Sequence, residues 1–321
     1  MKILVIGATG HVGTYLVPRL VNSGHEVAAI SRGKRKPYTP DPAWDKVEKI
    51  ELDREALDAK GEFGKTIAAT GADVVIDFLL FHPSRVEQLI ESLAGKISHY
   101  IYCGTMWVYG PTQLSPTTED DPRVTNDPYG RQKAEIESMM IEAACYGDFP
   151  ASVLHPGHIV GPGWAPINPA ANLNLAVWEK LGRGEQLFLP YNGLAMLHHV
   201  HADDVAQCFQ LAVENPSAAI GQSFNVLSPQ AVSLRGLSYQ VARWFGHEAN
   251  LAYRDWNEWR KFENDLDIVD TWEHIRNSPC GSIEKARRTL GYEPRYTTYQ
   301  MIQEALRWLI EQGEVNLPQL D

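Results

Sequence analysis

Short apolar runs without alternation recur through the first half of the chain: Ile3–Ile6, Glu26–Ser31, Asp73–Leu80, His99–Cys103 and Ser152–His155. Uninterrupted runs of this kind fit strands covered on both faces, as in a parallel sheet flanked by helices. Between them lie stretches with helical spacing, such as Val12–Asn22, which closes at Ser23-Gly24, and Ala134–Ala144. Strand–helix alternation predicts right-handed βαβ units and an α/β, doubly wound parallel sheet.

Beyond residue 160 the texture changes. Gly161-Pro162-Gly163-Trp164-Ala165-Pro166 reads as a loop, and seven of the nine Trp follow residue 160. Ala202–Val213 and Leu234–Phe245 have amphipathic helical spacing, with a strand at Ser223–Leu227 between them. Residues 251–281 are rich in Trp, Asp and Glu without a clear period, and Ser282–Leu290 and Tyr299–Gln312 return to helices. There is no internal repeat or long linker, so the second region is expected to pack onto the first and interleave with it.

Composition narrows the class. The 321 residues suffice for about two domains. A hydrophobic share of 44% with 21% charged residues describes a folded globular protein. The net charge of -11 argues against a nucleic-acid or anionic-membrane surface, since both need a basic face. Cys103, Cys145, Cys208 and Cys280 are widely separated and form no C-x-x-C spacing, and the apolar run at the start is too short for a signal peptide or a span. The expectation is a reduced, soluble, cytoplasmic protein.

Gly7-Ala8-Thr9-Gly10-His11-Val12-Gly13 directly follows the first strand and opens a helix. Glycines there let the backbone turn tightly and approach a pyrophosphate held at a helix N-terminus. The expected fold is therefore Rossmann-type. Residues 1–160 form the dinucleotide-binding domain, with 200–227 returning to it. Residues 161–199 and 228–321 form a smaller, interleaved α+β substrate-binding domain. At the end of the second strand, where NAD-preferring sites carry an acid, stand Ser31 and Arg32, followed by Lys34, Arg35 and Lys36. A hydroxyl and arginines suit the 2′-phosphate of NADP, which favours NADP over NAD.

Tyr129 and Lys133 are i and i+4 near the start of a helix, so both project from one face. A tyrosine acts as a base near neutrality only if nearby positive charge lowers its pKa from about 10. Lys133, with an oxidised nicotinamide, would supply that charge. Thr105 lies just past the carboxyl end of the His99–Cys103 strand, where open α/β sheets place ligands, and its hydroxyl can hold a substrate oxygen beside Tyr129.

These elements in this order resemble the short-chain dehydrogenase/reductase superfamily, in particular its extended branch, the NAD-dependent epimerase/dehydratase family. Leu154-His155-Pro156-Gly157-His158-Ile159-Val160-Gly161-Pro162-Gly163 is similar to the family's stretch after the Tyr-Lys helix. Val200-His201-Ala202-Asp203-Asp204-Val205-Ala206, Ser223-Phe224-Asn225-Val226 and the segment from Ile283 to Tyr292 resemble its later segments. The resemblance implies that Gly7, Gly10 and Gly13 cradle the pyrophosphate, with Thr9, His11 and Val12 nearby. It also implies that Asp53 meets the adenine, that Phe78, Leu79 and Leu80 line the cofactor, and that Pro156, His158 and Ile159 touch the nicotinamide. Thr105, Tyr129 and Lys133 match the catalytic set. The chain departs from the family where His155 replaces an Arg and where Leu197-His198-His199 lacks another Arg that often meets a nucleotide-sugar phosphate. The Ser31-Arg32-Gly33-Lys34 segment resembles an atypical branch that includes the chloroplast stem-loop binding proteins.

The expected function is NAD(P)-dependent epimerisation or oxidoreduction of a sugar or nucleotide-sugar, with Thr105, Trp107, His158 and His198 meeting substrate. One alternative is an NADP-dependent reductase of a non-nucleotide carbonyl compound. Another, of a different class, is a non-catalytic dinucleotide- or RNA-binding module. His198-His199-x-His201 invites a metal, but no nearby Cys or helical His pair completes a shell, so none is expected. Trp256, Trp259 and Trp272 are expected to be mostly core, and homodimers are common in the resembled family.

Overall fold

The computed structural model describes residues 1–320. Seven strands form one parallel sheet: β1 (Lys2–Ile6), β2 (Glu26–Ser31), β3 (Glu48–Glu51), β4 (Val74–Asp77), β5 (His99–Cys103), β6 (Ala151–Pro156) and a late strand, Ser223–Val226. Their spatial order is β3-β2-β1-β4-β5-β6 and then Ser223–Val226, every neighbouring pair parallel. Successive side chains along each strand point to opposite faces, which is why the apolar runs do not alternate. Ile3, Val5, Val27, Ala29, Ile76, Ile101 and Leu154 face one core. Leu4, Ile6, Ala28, Ile30, Val75, Tyr100, Tyr102 and Val153 face the other.

The helices complete those cores. In chain order they begin α1 (His11–Asn22), α2 (Arg54–Asp58), α3 (Phe63–Ala68), α4 (Val86–Leu93), α5 (Pro128–Tyr146), α6 (Ala176–Gly182) and α7 (Ala202–Glu214). The series ends with α8 (Pro216–Ala219), α9 (Leu234–Trp244), α10 (Trp256–Trp259), α11 (Asp265–Asn277), α12 (Glu284–Leu290) and α13 (Thr298–Glu311). α1 and α7 pack together on one face of the sheet through Leu16, Leu20, Val205 and Phe209, while α3, α4 and α5 cover the other through Phe63, Leu89, Ile136 and Met140.

Residues 200–227 run back to the first lobe: α7 packs on α1, and Ser223–Val226 adds the last strand beside β6. The second lobe is built on small two-stranded units. These are β7 (His158–Val160) with β10 (His199–His201), β8 (Leu187–Pro190) with β13 (Leu251–Arg254), and β9 (Met196–Leu197) with β12 (Val232–Ser233), which makes Ser223–Val226 β11. Its own core holds Trp178, Leu189, Leu237, Trp259, Ile302 and Leu306.

Three elements differ from the sequence reading. β4 stops at Asp77 and not at Leu80, because the Asp77 carboxylate accepts from the Leu79 N–H at 2.8 Å and turns the chain out of the sheet. β3 lies at the sheet edge with three of its four residues exposed, so it carries no apolar run to read. The segment carrying α12 joins the first lobe and not the substrate lobe. Ile283, Ala286, Leu290 and Tyr292 enter the α1–α7 core, and the Tyr292 hydroxyl donates to the Leu227 carbonyl at 3.0 Å.

Gly13 sets how closely α1 sits on β1. A Cβ there would lie 2.1 Å from the Ala8 carbonyl oxygen, a backbone atom with no room to move. Gly13→Ala is therefore expected to destabilise the protein by about 1–3 kcal/mol and to displace the first turn of α1. Urea denaturation checks this; an unchanged midpoint would contradict the tight α1–β1 approach.

Candidate active site

One cleft, of about 460 Å³, runs along the carboxyl ends of β1, β4, β5 and β6, the side on which open parallel sheets bind ligands. Its floor at one end is the glycine turn. Gly7 has φ +85°, a conformation open to glycine, and a Cβ there would press on the Leu79 side chain at 3.0 Å. Gly10 precedes α1 as its N-cap, so no side chain caps the helix. Its first N–H groups thus stand at the cleft with no side-chain acceptor, the arrangement that receives an anion. By contrast α5 and α7 are capped by Asp127 and His201. The residues present therefore fit the pyrophosphate of a dinucleotide.

Farther along the cleft, α5 delivers Tyr129 and Lys133. The Asp127 carboxylate accepts from Gly130 N at 2.6 Å and Pro128 occupies the first helical position, so the helix starts sharply one residue before Tyr129. Lys133 is 2% exposed, and its Nζ donates to the Leu80 and Cys103 carbonyls, both at 3.0 Å. The ammonium also faces the Phe81 and Tyr102 rings at 4.5 and 4.8 Å, and Tyr129 at 5.8 Å. Burial pushes Lys133 down to about 8. Burial also pushes the Tyr129 phenol up to about 12, against the pull of the neighbouring Thr105 hydroxyl. The tyrosine is thus a phenol at neutral pH, and added positive charge is needed to make it a base.

Thr105 follows β5 and caps a 3₁₀ turn over Met106–Tyr109, its Oγ1 accepting from Trp107 N at 3.3 Å. The same hydroxyl is paired with the Tyr129 phenol. The Thr105 backbone N–H donates to His155 Nδ1 at 3.1 Å, so the His155 proton sits on Nε2, where it meets Glu137 Oε1 at 3.0 Å. Glu137 is gripped from its other side by Arg123, at 2.7 and 3.2 Å. A second buried pair underlies β4: Arg54 donates twice to Asp77, at 2.7 and 2.8 Å, and the Tyr100 hydroxyl donates to the same carboxylate at 2.6 Å. Neither network was foreseen from sequence. The i+4 spacing of Glu137 after Lys133 was the available signal for the first.

The opposite end of the cleft is histidine-rich. His158, just past β6, packs its ring 4.7 Å from His274 of α11 and 5.5 Å from His199 of β10, with Trp107 6.2 Å away. Back at the glycine-turn end, Trp164 lies on His11 with ring centroids 5.0 Å apart.

Comparison with known proteins decides the lineage. The family described as NAD dependent epimerase/dehydratase matches residues 3–226. The chain belongs to the NAD-dependent epimerase/dehydratase family. It is accordingly an NAD(P)-dependent enzyme of the extended short-chain dehydrogenase/reductase type. The chain is 26% identical over 302 residues to the chloroplast stem-loop binding protein of 41 kDa b from Arabidopsis thaliana, covering 92% of this chain and 75% of that one. It is 23% identical to the UDP-glucose 4-epimerase of Bacillus subtilis, covering 96% of each. The fold matches that of the UDP-glucose 4-epimerase of Thermotoga maritima, solved with UDP-glucose, at a TM-score of 0.73 and 19% identity, over 97% of this chain and 99% of that one.

In this family member, Gly7, Gly10, His11, Val12, Gly13, Phe78, Leu79, Thr105, Trp107, Tyr129, Lys133, Pro156, His158 and Ile159 all line the one cleft. Others lie elsewhere. The Leu80 side chain does not face the cofactor cleft. It is buried in the α3–α4 core, and the backbone carbonyl of Leu80 is what serves the site. His198 does not reach the cleft as a substrate contact. Its Nε2 donates to the Ser228 carbonyl at 2.9 Å and its Nδ1 accepts from Gly281 N at 3.1 Å, which makes it a buried strut. Asp53 caps α2, its Oδ1 accepting from Glu55 N and Ala56 N. Thr9 lies in the glycine turn, and Ser31, Arg32 and Arg35 sit beyond the cleft, at and past the end of β2. No group of three His, Cys, Asp or Glu among the described residues is arranged to hold a metal. Trp259 is buried core, Trp256 packs beside it and Trp272 is exposed.

Burial acts to raise the Glu137 carboxyl, but His155 and Arg123 together overcome it and hold the group down to about 2. A carboxylate depressed in the folded state adds stability above its unfolded pKa and loses it as pH falls through the folded one. The contribution of Glu137 should thus fade between about 4.5 and about 2. Glu137→Ala, which takes the carboxylate from the Arg123 guanidinium and from His155 Nε2, is expected to cost about 3 kcal/mol at neutral pH and to flatten that acid limb. Denaturant titrations across pH check both.

Proposed function

We propose that the cleft carries out hydride transfer at a sugar carbinol or carbonyl carbon, assisted by Tyr129, Thr105 and Lys133. The observation that carries this reading is the buried Lys133 ammonium, held between the Leu80 and Cys103 carbonyls beneath Tyr129 in the cleft that the glycine turn opens. A nicotinamide dinucleotide, when bound, supplies the hydride acceptor or donor and, oxidised, a positive charge near the phenol. Thr105 donates its hydroxyl proton to the substrate oxygen and holds it at Tyr129. Tyr129 takes the proton of that oxygen on oxidation and returns it on reduction. Lys133 lowers the cost of the phenolate by Coulomb attraction. Return of hydride to the opposite face of the same carbon would make the reaction an epimerisation.

NADP(H) is the proposed cofactor. Arg32 and Arg35 are exposed and make no ion pair with described residues, and Ser31 stands beside them at the end of β2. The Glu51 carboxylate packs against Gly33 and bounds this site on the β3 side. The same exposed basic run is what a second reading, stem-loop RNA binding as in the name of the Arabidopsis relative, would use. Steeply salt-dependent RNA binding, with activity unchanged in Tyr129→Phe, would decide for that reading. The four cysteines are free, and no helix of the described residues is long and apolar enough to cross a membrane, which supports a reducing, cytoplasmic setting.

Tyr129→Phe is expected to lower kcat by about 10²–10⁴ while dinucleotide binding, followed by fluorescence titration, stays intact. Unchanged turnover would refute the assigned role. Arg32→Asp should weaken NADP by about 10–100-fold and NAD far less. Equal losses for the two cofactors would show that the basic run is only a solvated face.

A further inference from the structure

The substrate half of the cleft is built from uncharged groups. Among its lining residues Lys133 is the only Lys, Arg, Asp or Glu, and two of its ammonium protons already bond backbone carbonyls. The walls are Phe81 and Leu173, both left exposed, with Trp107 and Ile167, while Leu79 and Trp164 stand at the glycine-turn end over Gly7 and His11. His158 supplies the polar surface. Its Nδ1 is buried without a hydrogen-bond partner, and its ring is enclosed by His199, His274 and Trp107.

We propose that this site takes an uncharged substrate, a free sugar or comparable polyhydroxy carbonyl compound without a phosphate or nucleotide ester, with His158 reading one of its oxygens. The inference rests on the hydride-transfer reading above and narrows its substrate.

Three further observations support it. α11 turns a polar face inward, and that face fixes the loop that carries Ile167 and Leu173. Asn172 Nδ2 donates to Thr271 Oγ1 at 3.0 Å, and Asn174 Nδ2 donates to Asp267 Oδ2 at 2.7 Å. No cation enters by this route: Arg276, on the same helix, pairs with Glu273 and lines a separate groove with Trp272. Burial pushes His274 down to about 4 and His199 to about 3, and lowers His158 as well. The imidazoles are therefore neutral at pH 7. They can exchange hydrogen bonds with hydroxyls, but they cannot neutralise a diphosphate, whose burial without a partner is strongly unfavourable. Size points the same way. The cleft of about 460 Å³ is shared between the substrate and a dinucleotide that runs from the glycine turn to the nicotinamide end, which leaves little room for a second nucleotide.

The test uses the protein saturated with NADP. UDP and dTDP are titrated calorimetrically, and turnover is compared for matched pairs, a free aldose against its 1-phosphate and its UDP ester. The expected result is no saturable UDP or dTDP binding tighter than about 1 mM, and at least about a tenfold preference in kcat/KM for the uncharged member. His158→Arg, and Leu173→Arg as a second variant, should create measurable UDP binding where the wild type has none. Micromolar UDP binding by the wild type, or a preference for the UDP ester, overturns the inference while leaving hydride transfer standing. Undiminished turnover in Tyr129→Phe would instead remove the hydride-transfer reading, whichever nucleotide binds.

Discussion

The buried ammonium of Lys133 is the constraint around which the site is arranged. A lysine at 2% exposure stays charged only if the protein replaces its water, and here the replacements are two carbonyls at the ends of different strands, Leu80 after β4 and Cys103 at the end of β5. Those bonds draw the start of α5 onto the sheet edge and thereby fix where Tyr129 stands. The carbonyls must in turn be held. Leu80 follows the turn that Asp77 makes with Leu79 N, and Asp77 is fixed by Arg54 and Tyr100. A buried ion pair well away from the reacting atoms thus sets the position of a cation near them.

A parallel arrangement supports Thr105. His155 accepts from its backbone N–H, Glu137 orients His155, and Arg123 holds Glu137. Glu137 lies one helical turn beyond Lys133 on α5, so the same helix that carries the buried lysine also carries the carboxylate that orients the threonine's partner. Two networks, one on either side of β5, converge on the cleft. The cofactor half of that cleft offers backbone N–H groups and a cation; the other half offers only neutral imidazoles and apolar walls.

The fold was largely legible because its signals are local. Uninterrupted apolar runs marked six of the seven sheet strands, and Gly7, Gly10 and Gly13 marked the turn that opens α1. The exception, β3, has exposed polar residues at a sheet edge, so hydrophobicity could not reveal it. Residues 251–281 resisted for a related reason. The inward face of α11 is Asp267, Thr271, His274 and Asn277, polar positions buried against the asparagines of the 168–174 loop and the cleft histidines. A helix whose buried face is polar shows no amphipathic period.

The placement of Thr105, Tyr129 and Lys133 and of most residues lining the cleft was set by the sequence alone, since i, i+4 spacing and strand-end position place side chains without reference to distant residues. The tertiary structure decided which polar groups are struts and which face a ligand. His198 and His158 look alike in sequence, yet one has both ring nitrogens bonded in the interior and the other opens onto the cleft. Arg123 and Glu137, or His158 and His274, meet only after the chain has folded. Burial, which keeps His158, His199 and His274 neutral, is a property of that packing and of no single segment.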